Sequence, residues 1–161
     1  MIKSGSLLLV SFALLTGCNS SINETPPEEP DQTIQYDSAL AEQLGADKHG
    51  MRQYVIAYLI KGPNRDQDST TAANIQRAHL DNIEKMANEG KLVLAGPFMD
   101  DGEIMGIYIF AVETIEEAKE LTECDPAIRA GRLIMELHPW YGSAALMKVN
   151  ELHKKVSKED I

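Results

Sequence analysis

Residues 54–61 read Tyr-Val-Ile-Ala-Tyr-Leu-Ile-Lys, a run rich in β-branched and aromatic side chains in which both alternating sets are apolar. Such a run predicts a strand, and a strand that is apolar on both faces has to be covered on both. Gly62-Pro63-Asn64 then turns the chain, and Ser69 is read as the cap of a helix that reaches Glu89 and stops at Gly90. Ala72, Ile75, His79, Ile83 and Met86 recur in it at three- and four-residue spacing, which defines the inward face. Strands at 92–98 and 104–112 flank the turn Asp100-Asp101-Gly102 and form a hairpin. Thr114 and Glu117 make a capping box for a second helix, with Ile115, Ala118 and Leu121 inward. Asp125-Pro126 starts a short helical turn that closes at Gly131, and residues 133–138 form a fourth strand. Pro139-Trp140-Tyr141-Gly142 reads as a change of direction, and Ser143 as the cap of a final helix with Ala145, Val149, Leu152 and Val156 on one face.

The resulting order, β-α-β-β-α-β, is that of a ferredoxin-like α+β fold with a four-stranded antiparallel sheet, both helices on one face, and an extra C-terminal helix. The other face needs a cover larger than one final helix supplies. A second copy of the sheet is the economical solution, which predicts a homodimer.

The first seventeen residues stand apart from this pattern. Lys3 gives a basic start, residues 7–15 an apolar run and small residues follow, as in a secretory signal. The run is too short for a membrane span, which needs about 20 apolar residues. Leu15-Thr16-Gly17-Cys18 resembles a bacterial lipobox, so Cys18 is expected to carry lipid and to tether the protein to the cell envelope. Asn19, in place of an Asp that resembles an inner-membrane retention signal, favours the outer membrane. Residues 18–35 are rich in Ser, Asn, Pro and Glu and read as a flexible tether with a reach of about 20–25 Å. The predicted organisation is a signal peptide (1–17), a tether (18–35), a short helical lead-in (36–53) capped at Asp37 or Ser38 and ended by Gly45, a main domain (54–141) and a C-terminal helix (142–161).

With 161 residues and 43% hydrophobic side chains, the chain has material for one core. Its formal charge is −10, and −11 once residues 1–17 with Lys3 are removed, which repels nucleic acid. There is no P-loop, Rossmann fingerprint, nucleophile elbow or Cys-x-x-Cys. No His pair has metal-ligand spacing, so neither metal nor cofactor is called for. Cys124 reads as a small packing residue near a helix end, and Asp100 and Asp101 as turn formers.

His79 is the exception on its helix, an imidazole on an apolar stripe. From position alone a core histidine satisfied by a carbonyl is the simpler reading, and Asp125 is already explained as an N-cap. In a split βαβ fold, however, the first helix and the connection after the second approach the same end of the sheet. If they meet, Asp125 fixes the tautomer of His79 and the ring becomes a general acid or base.

Four blocks in this order, Tyr54-Val55-Ile56-Ala57-Tyr58, Ala78-His79-Leu80, Gly90-Lys91-Leu92-Val93-Leu94-Ala95-Gly96-Pro97 and Cys124-Asp125-Pro126, resemble the YciI-like (YCII-related) family over roughly residues 54–141. The resemblance implies a dimeric α+β barrel related to muconolactone isomerase, with the family's site His and Asp on His79 and Asp125. Ala127 stands where relatives often have an aromatic residue, so the pocket lining and the substrate are expected to differ from theirs. A few relatives look like lyases or dehalogenating enzymes of small aromatic rings, and most have no assigned reaction. The expectation is an envelope lipoprotein that binds a small molecule between walls including Tyr58, Gly96, Pro97 and Phe98, with lyase- or isomerase-type proton transfer by His79 and Asp125. The alternative is a non-catalytic binding or interaction module. A haem- or cofactor-dependent monooxygenase on a related barrel has no residue in its favour.

Overall fold

The computed structural model describes residues 34–159; the signal peptide, Cys18 and most of the tether lie outside them. In chain order the elements are α1 (Ser38–Gln43), β1 (Met51–Lys61), α2 (Ser69–Asn88), β2 (Leu92–Pro97), β3 (Ile104–Phe110), α3 (Ile115–Glu123), α4 (Pro126–Arg129), β4 (Leu133–Ser143), a 3-10 helix (Ala144–Lys148) and α5 (Val149–Val156). The strands form one antiparallel sheet in the order β2-β3-β1-β4. This is the split β-α-β-β-α-β arrangement of a ferredoxin-like fold, with a C-terminal helix added.

Local chemistry explains most boundaries. Asp37 caps α1 by accepting the Leu40 N–H at 2.9 Å. Thr114 and Glu117 form the reciprocal capping box of α3. Gly90 and Gly131 follow α2 and α4 with φ of +69° and +68°, a conformation that costs glycine little. The cap of α2 is Asp68, not Ser69. Its carboxylate accepts the N–H groups of Thr70 and Thr71 and the Thr71 hydroxyl, whereas Ser69 is the first helical residue.

The two faces of the sheet are covered differently. Val55, Ala57 and Leu59 of β1, Tyr108 and Phe110 of β3 and Leu92 of β2 pack under α2 and α3, with Met86 and Ala118 completing the core. On the opposite face Tyr54, Val93 and Ile109 form a smaller cluster closed by Leu146 and Met147 of the 3-10 helix. That cover is local: Ile134 on the same face, paired with Ile60, remains 50% exposed.

Four sequence expectations change here. The change of direction at 139–142 is absent, because β4 continues through it and pairs with β1 from Leu133↔Lys61 to Ser143↔Met51. A proline has no N–H to give a ladder, but β4 lies at the sheet edge, where one side needs no partner. The longer β4 also draws β1 back to Met51, inside the segment read as a helical lead-in. The final helix divides: Ser143 caps a 3-10 turn that spends Leu146 and Met147 on the sheet, and α5 then leaves Leu152 and Val156 exposed. Cys124 is also exposed at the end of α3 and does not pack.

Gly106 in β3 lies directly against the backbone of β2. A methyl group there would lie 2.6 Å from the Gly96 carbonyl oxygen and 3.1 Å from the Pro97 Cα, both backbone atoms. Gly106→Ala is expected to destabilise the fold by about 1–3 kcal/mol, as overpacking of a buried site does, measured as a lower urea midpoint at unchanged slope.

Candidate functional site

The middle of α2 lies over the sheet, and its inward stripe places His79 against Tyr108 of β3, with the two rings nearly parallel and 6.2 Å apart. The connection between α3 and α4 approaches from the side. There Asp125, fully buried, caps α4 by accepting the Ala127 N–H at 2.8 Å. The same carboxylate accepts the His79 Nδ1–H, at 2.8 Å to Oδ2 and 3.0 Å to Oδ1. Asn82, one turn after His79, donates to Oδ2 at 3.4 Å. Asp125 is therefore an acceptor from three directions, which assigns the ring proton of neutral His79 to Nδ1 and leaves Nε2 as the lone-pair nitrogen.

Nε2 faces the Tyr108 hydroxyl at 3.3 Å. Burial first, and the Asp125 charge second, push the Tyr108 phenol well above its ordinary range, so it stays protonated and can donate to Nε2. The contact is longer than an ordinary hydrogen bond to a hydroxyl, about 2.7–3.0 Å. A ligand atom can compete for Nε2 without displacing a strong partner.

His79, although only 6% exposed, lines a groove of about 690 Å³ between α2, the β2–β3 edge and α5. The apolar walls include Ile83, Leu92, Leu94 and Pro97. Volume and lining suit a small organic molecule. Among the described residues no group of three or more His, Cys, Asp or Glu side chains is placed to hold a metal ion, and no helix is long and apolar enough to cross a membrane.

The fold thus brings His79 and Asp125 into direct contact, and Gly96 and Pro97 line the same groove. The other two expected wall residues lie elsewhere. Tyr58 pairs with Ile107 and Glu136, points to the opposite sheet face because it alternates with Ala57 and Leu59, and packs edge-on against His138. Phe98 lies just beyond β2, 46% exposed, its N–H donating to the Met105 carbonyl at the hairpin. Cys18 is outside the described residues.

Two members of the site were missed in the sequence although signals existed. Asn82 is three residues after His79, on the same helix face. Tyr108 alternates with Phe110 on a core strand, where a phenol needs a polar partner. A third, the α5 wall with Asn150 and His153, gave no signal, because its polar residues look like a solvated helix face.

Residues 55–141 match the family described as the YCII-related domain. None of the curated proteins matches the chain. Among the solved structures that match is the 5-chloro-2-hydroxyhydroquinone dehydrochlorinase TftG of Burkholderia phenoliruptrix AC1100, in complex with 2,5-dihydroxybenzoquinone. It is 22% identical with a TM-score of 0.41, and the alignment covers 55% of this chain and 93% of that one. With more than half of its length matched, and with the family's domain spanning β1 to β4 around the His79–Asp125 pair, this chain belongs to the YCII-related family.

Proposed function

We propose that the protein binds a small organic molecule in the groove along α2 and transfers a proton to or from it through His79, in a lyase- or isomerase-type reaction. The observation that carries this reading is the orientation of one ring: Nδ1 is held by a buried carboxylate while Nε2 is at the groove wall with a weak partner. Asp125 is the positioning residue that fixes the tautomer, and Tyr108 supplies a donor beside the reacting nitrogen. The test is an NMR titration of the His79 ring in the intact chain, alone and with a panel of small aromatic and lactone compounds. The ring resonances are expected to shift with at least one compound, and a ring indifferent to every compound overturns the reading.

Variants sharpen it. His79→Gln is expected to lower turnover of such a compound by about 10²–10⁴-fold, the usual worth of a general acid or base, with the fold retained. Asp125→Asn presents an amide N–H to Nδ1 and is expected to move the ring proton to Nε2, read directly from the ¹⁵N shifts of His79 and accompanied by loss of activity.

A non-catalytic binding module is the second reading. Its support is that both ring nitrogens already have protein partners and the ring is nearly buried. It predicts ligand binding that His79→Gln alters without any chemical conversion of the ligand by the native protein.

The open sheet face supports a homodimer, because Tyr58, Ile60, Ile107, Trp140 and the half-exposed Ile134 all lie on it, and a second sheet would remove them from water. Light scattering is expected to give twice the chain mass for the native protein and the single mass for Ile134→Asp. The Leu15-Thr16-Gly17-Cys18 sequence supports lipid anchoring in the cell envelope, with the outer membrane favoured by Asn19. Cys18→Ser is expected to abolish incorporation of labelled fatty acid and to release the protein from the membrane fraction.

A further inference from the structure

Two arginines that line the groove sit on segments that are stitched together. The Gly62 N–H and the Arg65 guanidinium both donate to the Arg132 carbonyl, at 2.9 and 3.2 Å, and the Asn64 N–H donates to the Gly131 carbonyl at 3.0 Å. A Cβ on Gly62 would collide with that Gly131 carbonyl, so the loop after β1 lies directly on the turn before β4. Gln67 donates to the Asn64 carbonyl at 3.1 Å and accepts from Arg132 Nη1 at 2.6 Å. Each arginine is thus fixed by a defined partner. Arg132 is half-buried and Arg65 exposed, and both line the groove that contains His79.

The position ties them to the His79 site. The Arg132 N–H donates to the Ala127 carbonyl at 2.9 Å, and the Ala127 N–H donates to Asp125, so one short segment carries both the positioning carboxylate and an arginine. Neither Arg65 nor Arg132 forms an ion pair with a carboxylate among the described residues, whereas Arg77, Lys85, Lys119, Lys148 and Lys155 each do. A guanidinium has five donors, and the contacts above engage one terminal nitrogen of each. The remaining donors are positive groups on the wall of a groove whose lining is mostly apolar, with Glu84, Lys154, Lys158 and Glu159 its other charged members.

We propose that Arg65 and Arg132 form a carboxylate-binding subsite, and that the ligand of the groove is a small organic acid whose carboxylate rests on this pair with its apolar body extending past His79. The planar fork of arginine matches a carboxylate in two parallel hydrogen bonds. The acidic chain, at −10 overall, opposes a doubly charged phosphate more strongly than a singly charged carboxylate. The inference rests on the groove being the ligand site and adds the class of ligand.

The test measures binding of benzoate, its neutral isostere benzamide and inorganic phosphate to the intact native chain by NMR. Benzoate is expected to bind saturably, to shift the side-chain resonances of Arg65, Arg132 and His79, and to weaken as NaCl rises from about 50 to about 500 mM, while benzamide binds at least about tenfold more weakly. Arg132→Gln and Arg65→Gln are each expected to weaken benzoate by about tenfold or more and to leave benzamide unchanged. Arg132→Lys keeps the charge but not the fork and is expected to fall between. Equal affinity for benzoate and benzamide, no saturable benzoate binding, tighter binding of phosphate than of benzoate, or benzoate binding indifferent to both glutamine variants overturns the proposal. Binding through the arginines without proton transfer by the native protein leaves this subsite standing and removes the catalytic role of His79. Proton transfer with KM unchanged in both glutamine variants does the reverse.

Discussion

A carboxylate removed from water has to be matched by donors, and the centre of this structure is organised around one such group. Asp125 has no exposed surface and receives hydrogen bonds from His79, Asn82 and the Ala127 backbone. Two of those donors come from the middle of α2, and the third is the first turn of α4. The carboxylate thus ties together elements more than forty residues apart and sets the distance between α2 and the α3–α4 connection. It also sets the face of the imidazole, because a ring anchored at Nδ1 has its other nitrogen directed away towards Tyr108 and the groove.

Everything else in the fold serves to bring those elements together. The antiparallel ladder from Met51↔Ser143 to Lys61↔Leu133 fixes the edge strand to β1, and the short approach of the β1–α2 loop to the turn before β4 fixes where α2 starts. From there α2 crosses the sheet above Leu59, Tyr108 and Leu92. Gly106 permits the β2 backbone to come close enough for Gly96 and Pro97 to reach the groove edge. A change at any of these positions alters the site by moving a wall, even where no polar contact is lost.

The sequence carried the fold well because its signals were local. Caps at Asp37, Thr114 and Asp125, glycine stops at Gly90 and Gly131, and two distinct periodicities all act within a few residues. The pairing of His79 with Asp125 was legible only through topology, since 46 residues separate them and each had a local explanation of its own. What escaped were effects decided by tertiary neighbours. Pro139 reads as a break in isolation and is accommodated because β4 is an edge strand. Tyr58 looked like a pocket wall by its place in a familiar block, yet its parity in β1 sends it to the other face. The final helix had an apolar stripe in sequence, but the sheet claimed Leu146 and Met147 and the helix was left to dock by polar contacts.

That docking has a consequence for the site. Asn150 donates to the carbonyls of Leu92 and Ala87, at 2.7 and 3.4 Å, and Lys154 donates to Asn88 at 3.0 Å, which seats α5 across the junction of α2 and β2. These residues lie beyond the segment shared with the YCII-related family, so one end of the groove is built by a part of the chain that the common domain does not supply. Ala127, two residues after Asp125, also lines the groove. The groove wall is therefore shared between the common domain, which carries His79 and Ala127, and α5, which lies outside it. A common fold can keep a His–Asp pair in place while an added element changes the wall beside it.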